Sequence, residues 1–118
     1  MKKYNVQNYV RYKQDLERSI KMIGKKDWNE YTREELITIF MPLVENIGRK
    51  FATSQQASGV MSINDLIQEG NAGLTVAVDR IDWETINESE DKEKTLKSFL
   101  SKRIKGAIRR QIDINRGN

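Results

Sequence analysis

Apolar residues recur along the chain at intervals of three and four, with polar residues between them. From residue 4 to residue 23 the apolar positions are Val6, Tyr9, Val10, Leu16, Ile20 and Ile23. That spacing predicts an amphipathic helix, and Gly24-Lys25-Lys26-Asp27 reads as its stop signal. The next stripe is Leu36, Ile37, Phe40, Leu43, Val44, Ile47 and Phe51. Thr32 and Glu35 ahead of it have the spacing of a capping box, with Tyr31 and Leu36 at the staple positions. Pro42 interrupts the stripe. It lacks an N–H and pushes Met41 away from helical angles, which predicts a kink or two abutting helices, 32–41 and 42–54. Ser54-Gln55-Gln56-Ala57-Ser58-Gly59 has no period and reads as a loop.

Ser62 and Asp65 form a second capping-box pair, with Met61 and Leu66 as its staple. Ile63, Leu66, Ile67, Gly70, Leu74, Ala77, Val78 and Ile81 then trace one apolar face. Gly70 and Gly73 lie inside this helix, where each costs about 1 kcal/mol relative to Ala; close packing of another helix would account for them. Residues 82–93 carry six acids against one base and read as a connection. The last helix runs roughly from Glu90 to Asn115, burying Leu96, Leu100, Ile104, Ala107, Ile108 and Ile112, with Gly117 as its stop. The expected architecture is all-α: a compact bundle of four or five helices in a single domain, residues 1–118.

Composition narrows the function. The 118 residues include no Cys and no His, which excludes a disulfide framework, a thiolate nucleophile, an imidazole base and the usual Cys/His zinc site. No cofactor, no metal and no enzymatic activity are expected. No apolar run approaches the ~20 residues of a membrane span, and Met1-Lys2-Lys3-Tyr4-Asn5 lacks the apolar stretch of a secretion signal. A cytoplasmic or nucleoid-associated protein with no membrane partner is expected. The net charge is only +4, but its placement is uneven. Residues 96–118 hold seven bases, Lys97, Lys102, Arg103, Lys105, Arg109, Arg110 and Arg116, against the single acid Asp113.

Two stretches could carry chemistry. On the last helix, Lys102, Lys105, Arg109 and Arg116 fall on the face away from the Leu/Ile stripe. Such a face neutralises phosphates, or it is a solvated face that balances the acidic 82–93 segment. Phe99, at the start of the basic stretch, could stack on a base or pack beside Leu96 and Leu100. The other stretch is residues 65–82, where Asp65, Gln68, Glu69 and Thr75 project opposite Leu66, Ile67 and Leu74. Carboxylates and an amide on one face suit Arg and Lys of a partner helix, or are simply solvated.

The run Asp65-Leu66-Ile67-Gln68-Glu69-Gly70-Asn71-Ala72-Gly73-Leu74-Thr75-Val76-Ala77-Val78-Asp79-Arg80-Ile81 resembles region 2 of the sigma-70 family of bacterial transcription initiation factors, close to D-L-I-Q-E-G-N-I-G-L-M-K-A-V-D-K-F. It departs from that pattern at Ala72, Thr75, Val76, Arg80 and Ile81. The stretch from Met41 to Phe51 is similar to the family's preceding helix, L-P-L-V-x-x-I-A-x-x-Y. The resemblance covers about residues 33–115; residues 1–30 form an N-terminal helix of unplaced role ahead of a region 2-like domain, 31–118.

The resemblance implies a docking site on the clamp helices of the RNA polymerase largest subunit, made by Asp65, Gln68, Glu69, Asn71 and, in place of a Met, Thr75. It implies promoter DNA binding by the last helix, through Phe99, Lys102, Arg103, Lys105, Arg109 and Arg110. Phe99 falls where the family has a Tyr that stacks on a flipped adenine of the −10 element. Lys105 and Arg110 keep basic positions. Lys102 and Arg103 replace the paired Trp that wedge the duplex, and Gly106 replaces a Gln that reads its edge. The chain stops after this helix, as in the short divergent sigma factors that tailed phages encode for late genes. A minimal sigma factor that directs core polymerase to a −10-like element, with the help of a coactivator, is therefore expected. The alternative is a decoy that occupies the clamp helices without opening promoters.

Overall fold

The computed structural model describes residues 6–53 and 61–116, with side chains from Val10 onward. Five helices follow in order: α1 (Val6–Ile23), α2 (Arg33–Ala52), α3 (Ile63–Val78), α4 (Trp83–Glu88) and α5 (Lys92–Asn115), with a single 3-10 turn, Trp28–Glu30, between α1 and α2. The fold is all-α, without a strand among the described residues. The 54–59 loop and Gly117 lie outside the described residues.

Both capping boxes form. The Thr32 hydroxyl accepts the Glu35 N–H at 3.1 Å, and the Glu35 carboxylate accepts the Thr32 N–H at 2.9 Å. Ser62 and Asp65 reciprocate in the same way, at 3.1 and 3.3 Å. Each pair satisfies two backbone donors that a helix start otherwise leaves open. Gly24 ends α1 at φ 77°, a conformation that L side chains resist.

Pro42 does not split the second helix: α2 is continuous from Arg33 to Ala52. This corrects the expectation of two abutting helices, 32–41 and 42–54. Phe40, Val44 and Ile47, on either side of Pro42, are almost fully buried. Their burial stabilises the helical path by about 1.5–3 kcal/mol per side chain, enough to offset the ~3 kcal/mol that an interior proline costs. The acidic segment is corrected as well. It is not only a connection, because α4 forms within it. Asp82 caps α4 by accepting from the Thr85 hydroxyl at 2.8 Å and its N–H at 3.3 Å, and Ile86 is driven into the core.

The centre of the fold is α3, which packs against both α2 and α5. Leu66 and Leu74 of α3, Val44 of α2 and Leu96, Leu100, Ile104 and Ile108 of α5 are completely excluded from solvent. Glycines set the spacing. A Cβ on Gly70 would stand 2.6 Å from Val44 Cγ1, and one on Gly73 would stand 2.7 Å from Ala107 Cβ. The close packing expected of these two glycines is what the structure contains.

The N-terminal helix α1 lies mainly along α2. Leu16 is its one buried apolar residue among those described, and Val10 and Met22 are exposed. An ion pair also joins α1 to α2. Glu45, only 4% exposed, sits on α2 with Lys13 of α1 at 3.3 Å and Arg49 at 2.8 Å from Oε1. These are ion-pair distances without hydrogen-bond alignment.

Three carboxylates at helix ends titrate below the usual range. Glu35 is held down by the Thr32 N–H and by Lys26, Asp79 by hydrogen bonds from Arg33, and Asp82 by the Thr85 hydroxyl and N–H. A lowered folded pKa contributes stability that is complete above the unfolded value, about 3.9 for Asp and 4.3 for Glu, and is lost as pH falls through the folded value. The melting temperature, followed by circular dichroism, is expected to fall with acidification below about pH 4.3. In Asp79→Asn that acid-side slope becomes shallower. An identical slope in the variant would show that the Arg33–Asp79 pair is solvated away.

Candidate functional site

Two surfaces meet at the α3–α5 contact, and each contains the residues that the sequence singles out. On α3 the buried line is Leu66, Gly70, Leu74, Ala77 and Val78. At 3.6 residues per turn, Gln68 falls nearly opposite Gly70, at the crest of the outward ridge, and it is exposed. Asp65, Ala72 and Val76 lie beside it and are exposed too. Glu69 is half-buried on the flank toward α5, whereas Asn71 and Thr75 are half-buried on the flank toward α2.

These five polar residues are not equally available. Asp65 already accepts the Ser62 N–H in the capping box, so part of its role is to start α3. Thr75 donates its hydroxyl to the Asn71 carbonyl at 2.9 Å. Asn71 Oδ1 is buried without a partner among the described residues. Gln68 and Glu69 make no hydrogen bond or ion pair there, and they are the groups best placed to receive one. Val76, one of the departures from the family's pattern, is half-exposed at 50% in the middle of this polar ridge. Its period places it outward, and only its apolar character is unexpected.

On α5, Leu96, Leu100, Ile104, Ile108 and Ile112 form the buried stripe. Ala107, expected inside with them, is half-buried at the edge that meets Gly73. The basic side chains divide into two groups. Arg103 lies over the Phe99 ring with Cζ 4.7 Å from its centroid, and Arg109 lies 5.7 Å from the centroid of Phe51 on α2. Lys102, Lys105 and Arg110 form no ion pair among the described residues; Lys102 and Arg110 are exposed and Lys105 half-buried. Among the described ion pairs, Lys97 with Glu93 at 3.9 Å is the one that joins this basic stretch to an acid of the 82–93 segment. The basic face is thus not neutralised by the acidic stretch that precedes it.

Phe99 is half-buried. It packs against the core, and Arg103 lies over its ring. It lines a groove of about 680 Å³ together with Asp91, Lys94, Ser98, Lys102 and Arg103. Asp91 is the acid there, and its carboxylate caps α5 by accepting the Lys94 N–H at 3.1 Å. A second groove, about 540 Å³, runs between α3 and α5. It is floored by small residues and edged by Glu69, Arg80 and Arg110. The two grooves share Lys102 and Arg103. Sequence reasoning had no access to the Phe99–Arg103 contact as such, although the four-residue spacing is one at which helical side chains touch.

The described residues hold no group of three or more acidic side chains that could bind a metal ion. None of the helices is long and apolar enough to cross a membrane. Comparison of the chain with protein-family models, curated proteins and solved structures returns no match.

Proposed function

We propose that this protein is a minimal sigma factor: a helical adaptor that binds the clamp helices of core RNA polymerase through α3 and brings a −10-like promoter element to α5. The polymerase supplies the chemistry, and the adaptor has no catalytic residues of its own. The observation that carries this reading is that Gln68, exposed, and Glu69, half-buried, stand without a partner among the described residues on the D-L-I-Q-E-G-like run, beside an unneutralised basic face with a half-buried Phe. Basic clamp residues would meet the carboxylate and amide of α3. Lys102, Lys105 and Arg110 would meet phosphates without first losing an ion pair.

A second reading is favoured by a specific feature. Arg103 covers Phe99, and Lys102 and Arg103 stand where the family has its Trp pair. A protein with the α3 ridge and no opening wedge would occupy polymerase as a decoy.

Run-off transcription with bacterial core polymerase on phage late promoters separates the two. Specific initiation is expected. Within the initiating complex, Phe99→Ala should keep polymerase binding yet impair opening, read as permanganate reactivity of unpaired thymines, and Phe99→Tyr should be tolerated. An unstacked base loses a few kcal/mol that an aromatic surface partly restores, by about 1–3 kcal/mol. Inhibition of host transcription without initiation would establish the decoy, and normal opening by Phe99→Ala would reduce Phe99 to a packing residue.

A further inference from the structure

The contact between Arg103 and Phe99 bears on how the groove works. The two residues are one helical turn apart, and helical side chains lean toward the N-terminus, so Arg103 reaches back over the ring that precedes it. Its guanidinium is flat and delocalised and stacks on aromatic faces as a nucleobase does. Phe99 is partly buried against the core, and Arg103 lies over its ring. The groove beside it, about 680 Å³, has the size of small-molecule sites, about 300–1,000 Å³. Arg103 makes no ion pair among the described residues, so no carboxylate holds its guanidinium over the ring.

We propose that Arg103 is a built-in competitor for the Phe99 ring: its guanidinium occupies the stacking position, and a base of single-stranded DNA enters the groove only by displacing it. This rests on the reading that the groove receives a base. The protein then discriminates against occupancy by weakly stacking groups. A base that leaves a duplex must do more than find a vacant aromatic surface, because it must outcompete a cation already stacked there. The displaced guanidinium stays within reach of the same strand, close to Lys102 and Lys94, so the positive charge of the groove is retained.

The test compares two oligonucleotides on the intact chain: an all-abasic six-residue strand, and the same strand with one adenine. The phosphates are equal in number, so the ratio of the two affinities isolates the base. Amide chemical-shift titration at low salt measures both. Arg103→Ala should weaken binding of each strand through the lost charge, yet raise the adenine-to-abasic ratio about two- to fivefold, the factor that corresponds to an exposed cation–π contact. In the wild type, the Arg103 side-chain resonances, shifted by the Phe99 ring current, should lose that shift with the adenine strand and keep it with the abasic strand. Phe99→Leu should bring the ratio to one, with or without Arg103.

A ratio that is unchanged in Arg103→Ala overturns the proposal, and so does a ratio that falls, which would mean that the guanidinium sandwiches the base. A ratio of one in wild type, Arg103→Ala and Phe99→Leu alike would remove the base-binding reading itself, and the competitor with it. Arg103 is exposed and Phe99 is partly buried, and helical circular dichroism equal to wild type verifies that each variant is folded.

Discussion

Gly73→Ala is expected to destabilise the protein by about 1–3 kcal/mol, the range for overpacking a well-packed interior. The sign is informative, because on helix propensity alone the change should stabilise by about 1 kcal/mol. The added methyl would stand 2.7 Å from Ala107 Cβ, with the Arg103 carbonyl at 3.4 Å. A Cβ has no torsion by which to move aside, so α3 and α5 would have to separate. That separation would disturb the contacts of Leu74 and Ile104, both completely buried. The companion substitution makes the test specific. Ala107→Gly removes the opposing methyl, and the double variant should return most of the lost stability despite the extra helical glycine. Urea denaturation of the two single variants and the double variant forms a mutant cycle, and the coupling should be favourable. Gly73→Ala as stable as the wild type would show that these two residues do not set the α3–α5 distance. Gly70→Ala should fare no better, since its methyl would meet Val44 Cγ1 at 2.6 Å and Val44 is β-branched and fully buried.

The features legible in the sequence were those with a local physical cause. Thr32 with Glu35 and Ser62 with Asp65 place helix starts because each pair satisfies its own donors within one turn. The buried line from Leu96 to Ile112 follows from the helical period alone. Gly70 and Gly73 were readable because a glycine inside an apolar helix face needs a neighbour to justify it. The misreadings all occur where distant packing overrides a local rule. Pro42 breaks helices in isolation, but here Phe40 and Val44 hold the chain helical on both sides. The acidic segment conceals α4 because Ile86 is its single buried residue, too little to establish a period. Glu45 shows no sign in the sequence of being buried, and its ion pair with Lys13 joins residues 32 positions apart. The α3 ridge was legible as a face, but the uneven availability of its members was not. It depends on which side chains the backbone has already engaged, and hydrogen bonds such as Thr75 to Asn71 become evident only in three dimensions.

That uneven availability decides how the α3 ridge should be probed. Combining Gln68→Ala with Glu69→Lys is expected to abolish capture of core RNA polymerase while leaving the fold in place. Asp65 is a poorer probe, because removing its carboxylate also dismantles a helix cap worth about 1 kcal/mol, and lost binding could then reflect lost structure. Asn71 and Thr75 are poor probes for a related reason, since the Asn71 amide oxygen is buried and the Thr75 hydroxyl is hydrogen-bonded to the backbone. Gln68 is exposed and Glu69 half-exposed, and neither supports another group among the described residues. Substitutions at such sites change stability by about 0.5 kcal/mol or less. At an interface the arithmetic is different. A carboxylate that faces basic residues and becomes an ammonium replaces attraction by repulsion, and breaking a desolvated charge pair costs about 2–5 kcal/mol. At ~1.4 kcal/mol per factor of ten, that weakens binding between about 30-fold and several thousand-fold. Glu69→Gln is the control. It removes the charge without reversing it and should bind at an intermediate level, whereas an α3 ridge used only for solvation would bind equally in all three proteins. Affinity capture of purified core polymerase by each variant, with circular dichroism to verify folding, gives the result. Wild-type capture by the folded double variant would disprove the docking of α3 on polymerase, leaving the basic face of α5 to be explained by DNA alone.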